Sequence, residues 1–199
     1  MIVGADGIAR CPWSLASPDY VEYHDLEWGR PVRGDAAIFE RISLEAFQSG
    51  LSWLTILRKR PAFRSSFAGF DPQAVASFGE ADVTRLMDEG GIVRNRRKIE
   101  ATIGNAQAVV RLLEAEGSGA LDALFWSFEM PGRGARPSVI AEVPAATDGS
   151  RDLSVALKSI GLAWVGPTTM YAAMQACGVV NDHLVGCGAS AVARPMNDT

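Results

Sequence analysis

The chain has 199 residues, 48% hydrophobic and 21% charged, with a net charge of −4, which excludes a disordered segment and allows one compact domain or two small lobes. No apolar run approaches the ~20 residues that span a bilayer, and the start MIVGADGIARCPW has no charged stretch followed by an apolar core, so a cytoplasmic protein with no membrane partner is expected. Net negative charge argues against non-specific coating of nucleic acid, while a local basic patch can still hold phosphates.

Near the N-terminus, Ser17-Pro18-Asp19 has a capping serine, a proline for the first turn and an early acid, and predicts a helix through Tyr20, Tyr23 and His24 to about Trp28, ended by Gly29. Gly34-Asp35 then opens the stretch DAAIFERISLEAFQSGLSWLTILRKR. At about 100° per residue, Ile38, Phe39, Ile42 and Ala46 share one arc, and Glu45 falls on its edge. A carboxylate there faces the interior, where burying its charge without partners is costly. Two readings follow: a core helix whose Glu45 bonds a backbone amide or an arginine, or one wall of a ligand pocket. The helix breaks at Ser49-Gly50, and Leu51 and Trp53 follow, an apolar wedge and a large aromatic beside the acid.

Past Arg60-Pro61 the chain reads as short helices separated by breakers, opened at Asp71-Pro72 and Ala81-Asp82 and closed at Gly90-Gly91. Asn95 to Glu116 spaces Ile99, Ile103, Ala106, Val110 and Leu113 as a long amphipathic helix. Its start carries Arg94, Arg96 and Lys98, where the macrodipole disfavours positive charge, so a bound anion is expected beside them. A short aromatic helix spans Ala120 to Phe128, and residues 129–149, rich in proline and glycine, form the one plausible linker. A helix over Leu153 to Ile160 ends at Gly161, and LAWVG leads into another from about Pro167 to Cys177. That outline suits either an ordinary helix corner or a hairpin whose amides at Gly166, with Thr168 and Thr169, hold a phosphate. No strand-like alternation is visible.

Three cysteines, Cys11, Cys177 and Cys187, fit metal binding or free thiols better than a disulfide framework. His183 and Cys187 at i and i+4 share a face of a helix, and Cys11 and His24 lie at the other end of the chain. The four make a closed structural zinc set, with buried free thiols and satisfied histidines as the alternative.

Together CPW, YHDLEWG, LEAFQSGLSW, GIVRNRRKIEATIGNA, FWSF, MQACG and NDHLVGC resemble the 3-methyladenine DNA glycosylase I family of helix-hairpin-helix base-excision enzymes, from Cys11 to about Gly188. The resemblance implies an all-α, two-lobed single domain with the hairpin lobe within about 35–177. It implies monofunctional excision of 3-methyladenine from alkylated double-stranded DNA by a monomer, with the free base as product and one structural zinc on Cys11, His24, His183 and Cys187. Glu45, Tyr23 and Trp53 are placed at the flipped base with Trp13 nearby, Leu51 at the wedge beside Gly50, and Arg94, Arg96, Lys98, Gly166, Thr168 and Thr169 on the DNA. Where the wider superfamily carries an aspartate before its final helix this chain has Asn181, followed by Asp182. A zinc-stabilised DNA-binding module without catalysis and a zinc hydrolase are the competing functions.

Overall fold

The ends of the helices fall where local chemistry stops them. The structure, a computed structural model, describes residues 1–129 and 136–191. It opens with a two-residue antiparallel pair, β1 (Ile2–Val3) against β2 (Ala9–Arg10), too short to show as alternation in the sequence. In α1 (Pro18–Leu26) the Ser17 hydroxyl accepts the Tyr20 amide. This helix stops short of the expected Trp28, because the amides of Glu27 and Trp28 both bond the Tyr23 carbonyl and Gly29 turns the chain at φ +74°.

The central helix α2 (Asp35–Gln48) is followed by α3 (Trp53–Ser66), which runs through Pro61 instead of ending there. Pro61 lies on an exposed face, where water can serve the carbonyl that loses its donor. The short helices α4 (Pro72–Ala76) and α5 (Glu80–Asp88) lead into α6 (Arg96–Glu116), capped by the Asn95 side chain on the Lys98 amide. After α7 (Ala120–Trp126) come α8 (Asp148–Ser159) and α9 (Pro167–Cys177). Gly132 and Gly134 of the expected linker lie outside the described residues. Among those described, no helix is long and apolar enough to cross a membrane.

Helix α2 packs against α9, α7, α3 and α6, so every side chain from Ile38 to Phe47 is buried, not one stripe alone. Phe39 and Phe47 of α2 pack with Phe63, Phe67 and Phe70 with no exposed surface, each contributing roughly 1.5–3 kcal/mol by burial. At the C-terminus of α9, Gly178 (φ +75°) meets the turn after α1 so closely that a Cβ there would lie 2.7 Å from the Gly29 carbonyl. A smaller cluster of Cys11, Leu184, Cys187 and Ala189, with Trp13 against it, joins the two ends of the chain.

The N-termini of α2 and α7 cap one another. Asp35 accepts the amides of Gly119 (2.7 Å) and Asp122 (3.0 Å), and Asp122 accepts the Gly34 amide (2.7 Å). Neither helix has a capping side chain at its own N-cap glycine. Asp35→Ala is therefore expected to destabilise the fold by about 1.5–3 kcal/mol, read as a lower urea midpoint with an unchanged m-value.

Candidate active site and metal centre

Of the three acids in α2, Asp35 and Glu40 have partners, Glu40 receiving the Arg64 Nε at 3.0 Å. Glu45 makes no hydrogen bond or ion pair to any described residue, so the reading as a bonded core acid fails. Burial pushes its carboxyl up to about 8, against the pull of the Arg41 guanidinium one turn earlier. Arg41 is itself buried, with Nη2 3.1 Å from Glu27 and Nη1 unpartnered.

Glu45 lines a cleft of about 260 Å³ together with Trp13, Tyr20, Tyr23, Trp28, Gln48 and Trp53. The rings of Tyr23 and Trp53 stand 5.5 Å apart and those of Trp13 and Trp28 5.1 Å apart, an aromatic wall of two pairs. The Trp53 indole N–H is buried with no partner. The Tyr20 phenol accepts the Leu54 amide at 2.9 Å and pins the start of α3 to α1. Across the cleft, Asp182 accepts hydrogen bonds from Tyr171 (2.5 Å) and Gln175 (2.6 Å). Asp182 and not Asn181 lines the cleft; Asn181 accepts the His183 amide instead. Gln48 is legible three residues after Glu45 on the same helix, and Asp182 stands next to the position of the superfamily aspartate, whereas Gln175 arrives from the far end of the chain with no local signal.

A second cleft of about 200 Å³ shares Glu45, Gln48 and Ala172 with the first and brings in Gly50, Leu51, Thr168 and Thr169. The loop after α2 and the start of α9, which Gly166 caps, thus meet at the mouth of the aromatic cleft. Leu51 is exposed there, beyond a turn at Gly50 with φ +84°. The basic run divides. Arg94 and Arg97 are exposed with no partner among the described residues, but Arg96 pairs with Glu80 (2.8 Å) and Glu100 (3.0 Å). Glu80 thus supplies one negative charge beside the start of α6. Lys98 is buried and donates to the Phe47 and Ser49 carbonyls, so its charge is not at the surface.

The ligand atoms of Cys11, His24, His183 and Cys187 lie within 4.8 Å of one another, so these four side chains can hold a metal ion. Cys187 Sγ is 3.5 Å from both His24 Nε2 and His183 Nδ1, close to the ~3.5 Å between ligands around a tetrahedral zinc. The other ring nitrogens are occupied: His24 Nδ1 by Asp25 (2.8 Å) and His183 Nε2 by the Trp28 carbonyl (3.1 Å). Those bonds leave the facing nitrogens free for a metal. Burial opposes the charge of Asp25, yet hydrogen bonds from Arg10 and His24 hold its carboxyl below the usual range.

His183 and Cys187 do not share a helix; they converge through a turn in which the Cys187 amide bonds the Leu184 carbonyl. Arg136 fixes that turn by donating to the His183 (2.9 Å) and Leu184 (2.5 Å) carbonyls. Both histidines also pack edge-on against the cleft wall, His24 at 5.2 Å from Trp13 and His183 at 4.7 Å from Trp28. Cys177 is buried in α9, outside the cluster.

A family model described as methyladenine glycosylase matches residues 13–190. DNA-3-methyladenine glycosylase 1 of Escherichia coli (strain K12) is 46% identical over 180 residues, covering 89% of this chain and 95% of that protein. A crystal structure of 3-methyladenine DNA glycosylase I matches with a TM-score of 0.84 at 43% identity, over 90% of this chain and 98% of that one. A tyrosine-to-phenylalanine variant of a 3-methyladenine DNA glycosylase I, in complex with 3-methyladenine, matches with a TM-score of 0.83 at 32% identity, over 90% and 96%.

Between the ordinary carboxyl value of 4.5 and about 8, the folded chain holds a proton at Glu45 that the unfolded chain has released. Stability therefore falls as pH rises through this window and levels off above it. Glu45→Gln lacks the effect: urea melts should give similar stabilities below pH 4.5 and a variant on the order of 2–4 kcal/mol more stable than wild type at pH 8.5. A wild type that gains on the variant as pH rises would mean the carboxylate is paired.

Proposed function

The chain belongs to the methyladenine glycosylase family, and on that premise we propose how its cleft does the family's chemistry. The protein excises 3-methyladenine from alkylated DNA by hydrolysing the N-glycosyl bond, in base excision repair. The observation that carries the reading of the site is the unpartnered carboxylate of Glu45 facing an aromatic wall. An enzyme that acts on a base must first rotate it out of the duplex, at a cost of a few kcal/mol that is lowest for a damaged base.

In DNA, methylation at the 3 position makes adenine a cation. Tyr23, Trp13 and Trp53 attract it through their ring faces, at ~0.5–2 kcal/mol each, and Glu45 accepts hydrogen bonds from its edge. The cation draws the proton off the buried carboxyl, and the anion so formed favours the damaged base over neutral adenine. The bond from the sugar to the base then breaks with its electron pair going to the base, which leaves uncharged; water adds to the sugar carbon and gives up a proton. Because the leaving group is already good, Glu45 acts chiefly by selecting the cation and the lesion supplies most of the reactivity.

Leu51, turned outward at Gly50, fills the gap left in the stack. The amides at Gly166 with Thr168 and Thr169, in a helix-hairpin-helix arrangement of α8 and α9, hold the backbone of double-stranded DNA, and the exposed Arg94 and Arg97 add positive charge. Arg96 and Lys98 drop out of the contact set, being committed to Glu80 and Glu100 and to α2. The protein works as a cytoplasmic monomer. The metal is one structural zinc: four side chains complete its tetrahedron and leave no position for a hydrolytic water, which separates this reading from a zinc hydrolase.

Two outcomes test these assignments. Elemental analysis should find one zinc per chain, and Cys187→Ser should lose both the zinc and several degrees of melting temperature; a metal-free wild type of equal stability would remove the zinc. Glu45→Gln, by losing a charge-assisted hydrogen bond of about 1.5–3 kcal/mol, should bind free 3-methyladenine roughly tenfold to a hundredfold more weakly by calorimetry. Equal affinities would leave recognition to the aromatic residues alone.

A further inference from the structure

We propose that Lys98 is a positioning residue for the Leu51 wedge, holding the loop that carries it against the hairpin before α9; this rests on the reading of Leu51 as the residue that fills the duplex. Helix α2 ends at Gln48, and its last carbonyls have no donors within the helix. The Lys98 ammonium supplies one of them, 2.8 Å from the Phe47 carbonyl, and also serves the first residue past the helix, 2.7 Å from the Ser49 carbonyl. A cation at a helix C-terminus is also favoured by the macrodipole. Just past Ser49 the chain turns at Gly50, and Leu51 stays tied to the helix end through its amide on the Gln48 carbonyl at 2.6 Å.

The same ammonium lies 5.4 Å from the ring centroid of Trp164, on the connection between α8 and α9. Trp164 is 41% exposed and sits at φ +60°, a left-handed conformation that a bulky residue adopts only when its surroundings impose it. One buried charge, anchored in the capped first turn of α6, therefore touches the end of α2, the wedge loop and the hairpin. Lys98 is 5% exposed. It holds in place two surfaces that approach the DNA and does not itself reach a phosphate.

The test compares wild type, Lys98→Met, Lys98→Arg and Leu51→Ala by calorimetry with free 3-methyladenine, single-turnover release of base from alkylated duplex, and the salt dependence of binding to unmethylated duplex. Lys98→Met should bind the free base within about twofold of wild type but release it from duplex at least tenfold more slowly. Lys98→Arg should recover most of the rate, and the salt slope should stay unchanged. Adding Lys98→Met to Leu51→Ala should cost little more, because both act through one loop. A parallel fall in free-base affinity would mean a general structural role and overturn the proposal. So would a salt slope reduced by about 0.9, the mark of a lost phosphate contact, or duplex release left intact. If Leu51→Ala alone leaves release intact, the wedge reading fails and the role of Lys98 fails with it, whereas an active Lys98→Met beside an impaired Leu51→Ala sinks only Lys98. Should Lys98→Met not fold, Lys98→Gln, which keeps a donor without charge, takes its place with an intermediate loss expected.

Discussion

The arrangement turns on one unfavourable fact, a carboxyl group buried without a partner and driven by that burial to hold its proton. An isolated charge in the interior costs enough that the group normally finds donors or gives up its charge. Every neighbouring acid here has found donors: Glu40 takes Arg64, and Glu27 gathers both Arg41 and Arg60. Arg41 is close enough in sequence to share a face with Glu45, yet its hydrogen bond goes to Glu27. Glu45 is left at the wall of a cleft, where a cation with hydrogen-bond donors on its edge would satisfy it. The phenylalanine core around α2 offsets the cost and keeps the helix from shifting to relieve it.

The aromatic wall opposite is braced from behind. Trp13 and Trp28 lean on His24 and His183, whose orientations are fixed by Asp25 and by the Trp28 carbonyl. Behind Asp25 stands Arg10, which also binds Asp6, so a chain of charge-assisted bonds runs from the N-terminal strand pair to the cleft. With Arg136 holding the loop from the other side, the two ends of the chain meet behind the cleft. The four side chains that can hold a metal therefore pack behind the two tryptophans that line the cleft.

Much of this was legible because it is local. Ser17, Asp71 and Asn95 are capping residues in the sequence and cap helices in the fold. The break at Ser49-Gly50 follows from its glycine and the inward position of Glu45 from helical periodicity. Illegible features depend on partners distant in sequence. Lys98 reads as surface charge until α2 arrives to offer its carbonyls, and the pairing of Arg96 with Glu80 appears only once α5 is placed beside α6. The i, i+4 spacing of His183 and Cys187 suggested a helix, but a turn delivers the same convergence once Arg136 and Pro137 hold its carbonyls and amides. Pro61 misled for the opposite reason, since a proline on an exposed helix face costs less than its reputation suggests.

The central claim, a carboxylate kept waiting for a cationic base, is tested most directly by observing the Glu45 carboxyl carbon by NMR across pH 5 to 9. In the free protein its titration midpoint should lie close to 8, and it should move down when 3-methyladenine fills the cleft and supplies the missing hydrogen bonds. A midpoint in the ordinary carboxylate range, unmoved by the base, would contradict the account.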